Sequence, residues 1–177
     1  LNNSGLEAKG FERPSEFWAA LKEETPSVLL LEQPISPEDV MRRIELCGRV
    51  CYKSEGKITF NSYKGFIQRI IKRGHEAVLE HGNLIIGMSK DSDGGSGVWF
   101  SALDRAFEQT GTASYIRKTH GNAQNIVSGN VRAWRDVLRV CAATNTRMPT
   151  AVHCILEAYG VLFSDLLGNV FSEGDRK

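Results

Sequence analysis

The sequence predicts a mixed α/β (α+β) domain, and three observations carry that expectation. A helix start is written at Ser36-Pro37-Glu38-Asp39, strand-length apolar runs stand at Asn83 to Met88 and Asn125 to Ser128, and apolar-periodic stretches of helical length lie between and beyond them. At 177 residues the chain is long enough for one domain with a substantial core. Hydrophobic residues at 41% and charged residues at 24% are ordinary for a globular protein. A net charge of +1 gives no global case for nucleic acid or a membrane surface as partner. No apolar run approaches the roughly 20 residues that span a bilayer. Four cysteines do not make a disulfide scaffold at this length, which points to a reducing, cytoplasmic setting. The first residue is Leu1 and not a methionine, which reads as a processed or partial chain.

Residues 1–26 read as a polar lead-in in which Pro14 opens a short helix over Ser15 to Lys22, with Phe17, Trp18 and Leu21 on one face. The domain proper is expected over 27–177. Val28 to Leu31 is a buried-strand pattern. Ser36 then caps a helix whose first turn holds Pro37, Glu38 and Asp39 and whose apolar positions include Val40, Ile44, Cys47, Val50 and Cys51. Asn61 or Ser62 caps a second helix running to about Lys72, and Gly74 ends it. Asn83 to Met88 is a strand, Asp91 to Gly97 a flexible linker with three glycines, and Phe100 to Gln109 a short amphipathic helix. Asn125 to Ser128 is a strand that runs through Gly129-Asn130 into a long helix bearing Val131, Trp134, Val137, Leu138 and Cys141. After the polar turn Thr144 to Arg147, Pro149 opens a last helix with Val152, Ile155, Leu156, Tyr159 and Phe163 on its buried face.

The chemistry-bearing residues concentrate in Arg73-Gly-His-Glu-Ala-Val-Leu-Glu-His81, where two of the four histidines and two glutamates fall within nine residues at a helix–strand junction. One reading is a hydrogen-bonded tie in which Glu76 and Glu80 orient the rings of His75 and His81. The other is a ligand wall, since histidine nitrogens beside a strand end suit a planar heteroaromatic or a phosphate. A zinc site drawing on Cys47, Cys51 and a histidine is the weaker option: the His-Glu-x-x-His spacing is absent, and free cysteines are more often small core residues. Ser128 to Trp134 is the second candidate. A strand meets a helix there through Gly129 and Asn130, leaving free N–H groups at the helix start, with Arg132 one turn in as an anion partner. The plainer reading is a capped helix with an exposed arginine. Gly94-Gly95-Ser96-Gly97 lacks the Gly-Lys-Ser/Thr ending of a P-loop.

Taken together, Gly48-Arg49-Val50-Cys51-Tyr52, the Arg73 to His81 run and Ser128 to Trp134 resemble the flavin-dependent thymidylate synthases, over residues 27 to 88 and again 125 to 165. The resemblance implies a single domain with a central, mostly antiparallel sheet flanked by helices. It also implies an FAD-dependent enzyme that reductively methylates dUMP to dTMP, with methylenetetrahydrofolate as carbon donor and NADPH as hydride source, working as a homotetramer with shared active sites. By position, His81, Asn83, Asn130, Arg132 and Asp136 match residues near the FAD. The family's Arg-His-Arg-x-x-Ser signature has no counterpart, and the stretch between about 90 and 124 is shorter than in the family. Two explanations follow: a segment of the full protein that is absent from this sequence, joined near Gly94 to Gly97, or a shortened relative that has lost catalysis and keeps the scaffold. Cys141 stands where the family has its uracil-activating arginine, with Arg139 and Arg147 as nearby substitutes. No catalytic residue can therefore be named. The alternative function is a non-catalytic scaffold or nucleotide-binding module of the same fold.

Overall fold

The structure, a computed structural model, describes residues 36–89, 95–110, 115–120 and 124–168. The expected helix at Ser15 to Lys22 and strand at Val28 to Leu31 lie outside the described residues. Within them the molecule mixes helices with a small three-stranded antiparallel sheet.

Helix α1 (Pro37–Cys51) starts as its sequence dictates: Ser36 Oγ accepts from Asp39 N at 3.2 Å, Pro37 occupies the first turn, and Glu38 and Asp39 face the positive end of the dipole. A 3-10 turn (Glu55–Lys57) leads to α2 (Ser62–Lys72). Neither Asn61 nor Ser62 caps α2 through its side chain. Ser62 Oγ instead accepts from Thr59 N at 2.9 Å and lies 2.8 Å from Glu45 Oε2. Gly74, at φ +71°, turns the chain out of α2 in the left-handed region that glycine alone enters freely. The helices pack closely because Gly48 has no side chain: a Cβ there would lie 2.5 Å from Phe66 Cζ and 2.8 Å from Val78 Cγ1.

Residues Glu76–His81 form a 3-10 helix that delivers the chain into β1 (Asn83–Ser89). The strand alternates as a sheet with one covered face should: Leu84 and Ile86 are buried, while Asn83, Ile85 and Gly87 point outward. Helix α3 (Gly95–Thr110) begins earlier than expected, so Gly95 to Gly97 form its first turn and are not linker. Burial of Trp99, Phe100, Leu103 and Ala106 outweighs the poor helix propensity of those glycines. Strand β2 (Arg117–His120) has no counterpart in the sequence reading, because Arg-Lys-Thr-His shows no apolar alternation. It is an edge strand, and charged side chains suit that position.

Strand β3 (Gln124–Asn130) is central, paired antiparallel with both neighbours in the order β1-β3-β2. It runs without a loop into α4 (Val131–Thr144), with Asn130 as the last strand residue and the cap. Asn145, left-handed at φ 50°, ends α4. The predicted last helix is two pieces: α5 (Thr150–Ala158) stops before Gly160, whose φ of +50° breaks the helix, and α6 (Ser164–Leu167) follows a 3-10 turn (Gly160–Leu162). Phe163 is buried, but in the turn and not on a continuous helical face.

The core lies between the covered face of the sheet and the helices. Leu84, Ile86 and Val127 meet Trp134, Val137 and Leu138 of α4 and Phe100 and Leu103 of α3. Trp134 is fully buried and its Nε1 donates to the Leu84 carbonyl at 3.4 Å. Among the described residues no helix is long and apolar enough to cross a membrane.

Candidate functional site

The two sequence segments singled out above meet at one end of the sheet. Asn83 is the register partner of Asn130, and Val131 N donates to the Gly82 carbonyl at 2.8 Å, which extends the β1–β3 ladder into the first turn of α4. Gly82 permits that approach, because a Cβ there would sit 2.8–2.9 Å from Ile44, Val40 and Val131. At the next residue, Arg132 Nη1 reaches Glu80 Oε1 at 2.6 Å across 52 residues of sequence. Thus Glu80, His81 and Asn83 from one segment face Asn130 and Arg132 from the other.

Behind this edge lies an ion-pair cluster. Arg135, 1% exposed, donates to Leu162 O at 2.5 Å and to both Asp165 oxygens at 2.8 and 2.7 Å. Its Nε also reaches Glu76 Oε1 at 3.2 Å. Arg139 donates to the same Glu76 oxygen at 2.6 Å and to Asp136 Oδ1 at 2.6 Å. Burial works against charge on Glu76, but the hydrogen bond from Arg139 and the positive charges of Arg135 and Arg139 win and hold its carboxyl below the usual range. The Arg135 hydrogen bond does the same for Asp165. Glu76 in turn raises Arg139.

These contacts revise several expectations. Glu76 and Glu80 do not orient the histidine rings; arginines of α4 take both carboxylates. His75 Nδ1 lies 3.2 Å from Tyr52 Oη, with the two rings stacked, and His81 is exposed at the end of the 3-10 turn. The helix start at α4 is less open than predicted: Asn130 Oδ1 accepts from Ala133 N at 2.8 Å, and Val131 N is bound to Gly82. Asp136 holds Arg139, whereas Arg147 is exposed in the α4–α5 turn with no hydrogen bond or ion pair to the cluster. The structure therefore brings together His81, Asn83, Asn130 and Arg132, sets Asp136 and Arg139 one to two turns along α4, and leaves Arg147 apart.

Arg135 and Asp165 are not among the residues that the sequence singles out. A signal existed for the first: residues 131, 134, 135 and 138 form a helical stripe, so an arginine at 135 falls on the buried side and needs a partner. The cysteines also differ from expectation. Only Cys141 is buried, and burial pushes its thiol up to about 12; Cys47 is half-buried and Cys51 exposed. Among the described residues no group of three or more His, Cys, Asp or Glu side chains is placed to hold a metal ion.

Arg132 and Arg135 differ in what they can do. The Arg132–Glu80 pair is about half exposed on both sides, and such pairs contribute little and exchange readily for another anion. Arg135 is locked by three acceptors in the interior and serves the fold. The exchangeable groups at the edge are thus the Arg132 guanidinium and the side chains of His81 and Asn83. No protein-family model, no curated protein and no solved structure matches this chain.

Proposed function

We propose that this chain is a flavin-dependent-thymidylate-synthase-like protein that holds FAD along the edge where Asn83 meets Asn130. Its reaction is the reductive methylation of dUMP to dTMP with methylenetetrahydrofolate and NADPH. The observation that carries this reading is the β1–β3 register, which sets Asn83 opposite Asn130 and links Glu80 to Arg132. Those are the two segments of the resemblance, and the fold joins them at one place. The residues suit a flavin: Arg132 can exchange Glu80 for a phosphate, Asn83 and Asn130 offer amides to polar ring edges, and His81 is an exposed ring beside them. FAD, when bound, would supply the hydride relay; the chain's own residues bind and orient it. The edge is an open surface, so a shared site would need a second copy of the chain against the outward face that carries Asn83 and Ile85, the latter 74% exposed.

Purified protein mixed with FAD and desalted should keep flavin absorbance, and Arg132→Ala should weaken retention by about tenfold. Protein that keeps no flavin under any buffer defeats the reading.

One observation favours the non-catalytic alternative. The stretch where the family's signature would stand contributes Trp99, Phe100 and Leu103 of α3 to the core, so it serves the fold of this chain. A flavin-loaded protein that oxidises NADPH no faster when dUMP is added would select the scaffold or nucleotide-binding module over the enzyme.

A further inference from the structure

A concave site lies between α1 and α2, and it shares no lining residue with the Glu76–Arg135–Arg139 cluster. Its volume is about 330 Å³, and no carboxylate lines it. Lys57 enters from the 3-10 turn after α1, and Arg69 and Arg73 from the last turn of α2 and its cap. None of these three makes an ion pair among the described residues. Arg49 also lines the cavity, but its charge is matched by Glu45 at 3.1 Å, and its guanidinium lies 4.7 Å over the Phe66 ring. Tyr52 and His75, stacked on one another, complete the wall.

Arg69 and Arg73, four apart at the end of α2, repel one another, and Lys57 adds a third like charge across the cavity. The negative end of the α2 dipole explains basic residues in that turn, but not their convergence with a lysine from another element. Three cations without an ion-pair partner among the described residues around one open concavity make its potential positive. We propose that this cavity binds a small phosphorylated molecule with an aromatic ring. The phosphomonoester dianion would lie among Lys57, Arg69 and Arg73, and the ring against the exposed rings of Tyr52 and His75. A phosphomonoester dianion brings nearly two charges and three acceptor oxygens, enough to engage two arginines and a lysine at once, which a single carboxylate cannot. The volume stands at the low end of the roughly 300–1,000 Å³ usual for small-molecule sites, which favours one ring-sized ligand over a nucleic-acid strand.

Calorimetric titration with phenyl phosphate at low salt tests this. Binding is expected, tighter than that of inorganic phosphate, and weakened by about tenfold or more in Arg69→Ala/Arg73→Ala and again in Lys57→Ala. All three residues are exposed, and Lys57 sits on a different element, so a loss in both variants is not unfolding of α2. Absence of binding, or binding undiminished in both variants, overturns the proposal. So does oligothymidylate that displaces phenyl phosphate with an affinity rising with its length, since that marks a nucleic-acid surface. The site is independent of the flavin reading: Arg69→Ala/Arg73→Ala should take up FAD like the unmutated protein, and Arg132→Ala should bind phenyl phosphate unchanged. Loss of FAD uptake in the double variant would merge the two sites and sink the claim, whereas phenyl phosphate binding without any FAD uptake would leave this site standing and remove the flavin one.

Discussion

Glu76 is the residue on which the α4 cluster turns, because it answers two arginines with one oxygen, at 3.2 and 2.6 Å. Arg135 is nearly inaccessible, so removing a partner leaves a buried charge short of compensation; Glu76→Gln should destabilise the fold by about 1–3 kcal/mol. The pH dependence has a definite sign. The folded-state value of Glu76 lies below its ordinary 4.5, so its contribution is complete above that pH and disappears as pH falls through the lower folded value. The gap in melting temperature between the unmutated protein and Glu76→Gln should therefore be full at neutral pH and narrow only as the pH falls below 4.5. A gap that stays constant across that range would show that Glu76 acts by packing and not by charge.

Elements whose signals were local could be read from the sequence, and elements decided by distant contacts could not. Helix α1 carried its cap, proline and acids in four consecutive residues, and α4 carried Asn130 before a clear apolar stripe. Strand β2 had no such mark: its Arg-Lys-Thr-His composition is that of a loop, and only pairing of Arg117 with Ser128 and His120 with Asn125 makes it a strand. The start of α3 was hidden by glycines whose flexibility is overruled by burial of Trp99 and Phe100. At the site, proximity of the Asn83 and Asn130 segments followed from a family resemblance, while the pairing of each glutamate with an α4 arginine needed the register. Gly48 shows an element-level constraint that no local signal could disclose. Alanine is the better helix former by about 1 kcal/mol, yet Gly48→Ala should destabilise by about 1–3 kcal/mol, because its Cβ meets the Phe66 ring and the stiff Val78 side chain. Denaturant unfolding would measure it, and a stabilised variant would mean that α1 and α2 can separate without loss. Asn130→Ala should cost about 1 kcal/mol through loss of the cap to Ala133 N, and should also loosen the join between β3 and α4.

At the scale of the whole molecule the question is what covers the outward face of the sheet. The inward face is filled by α3 and α4, while on the outer face Ile85 stands 74% exposed, two residues from Asn83. If flavin is held between copies of the chain, as the proposed function implies, that face belongs to an interface and its charge content matters. Ile85→Asp places a carboxylate where an apolar contact is expected without touching the core, since the side chain already points away from Leu84 and Ile86. The unmutated protein should sediment as a multiple of its 19.6 kDa chain, and Ile85→Asp should shift it towards the monomer with an unchanged far-ultraviolet circular dichroism spectrum. Flavin retention should fall with the assembly, because Arg132, His81 and Asn83 are surface groups that alone enclose nothing. An unmutated protein that sediments as a monomer and still keeps FAD would contradict a shared site and leave the flavin to one chain. The Arg69–Arg73 cavity separates these outcomes from general damage: its walls come from α1, α2 and the turn between them and from His75, so phenyl phosphate binding should survive Ile85→Asp even when flavin retention does not.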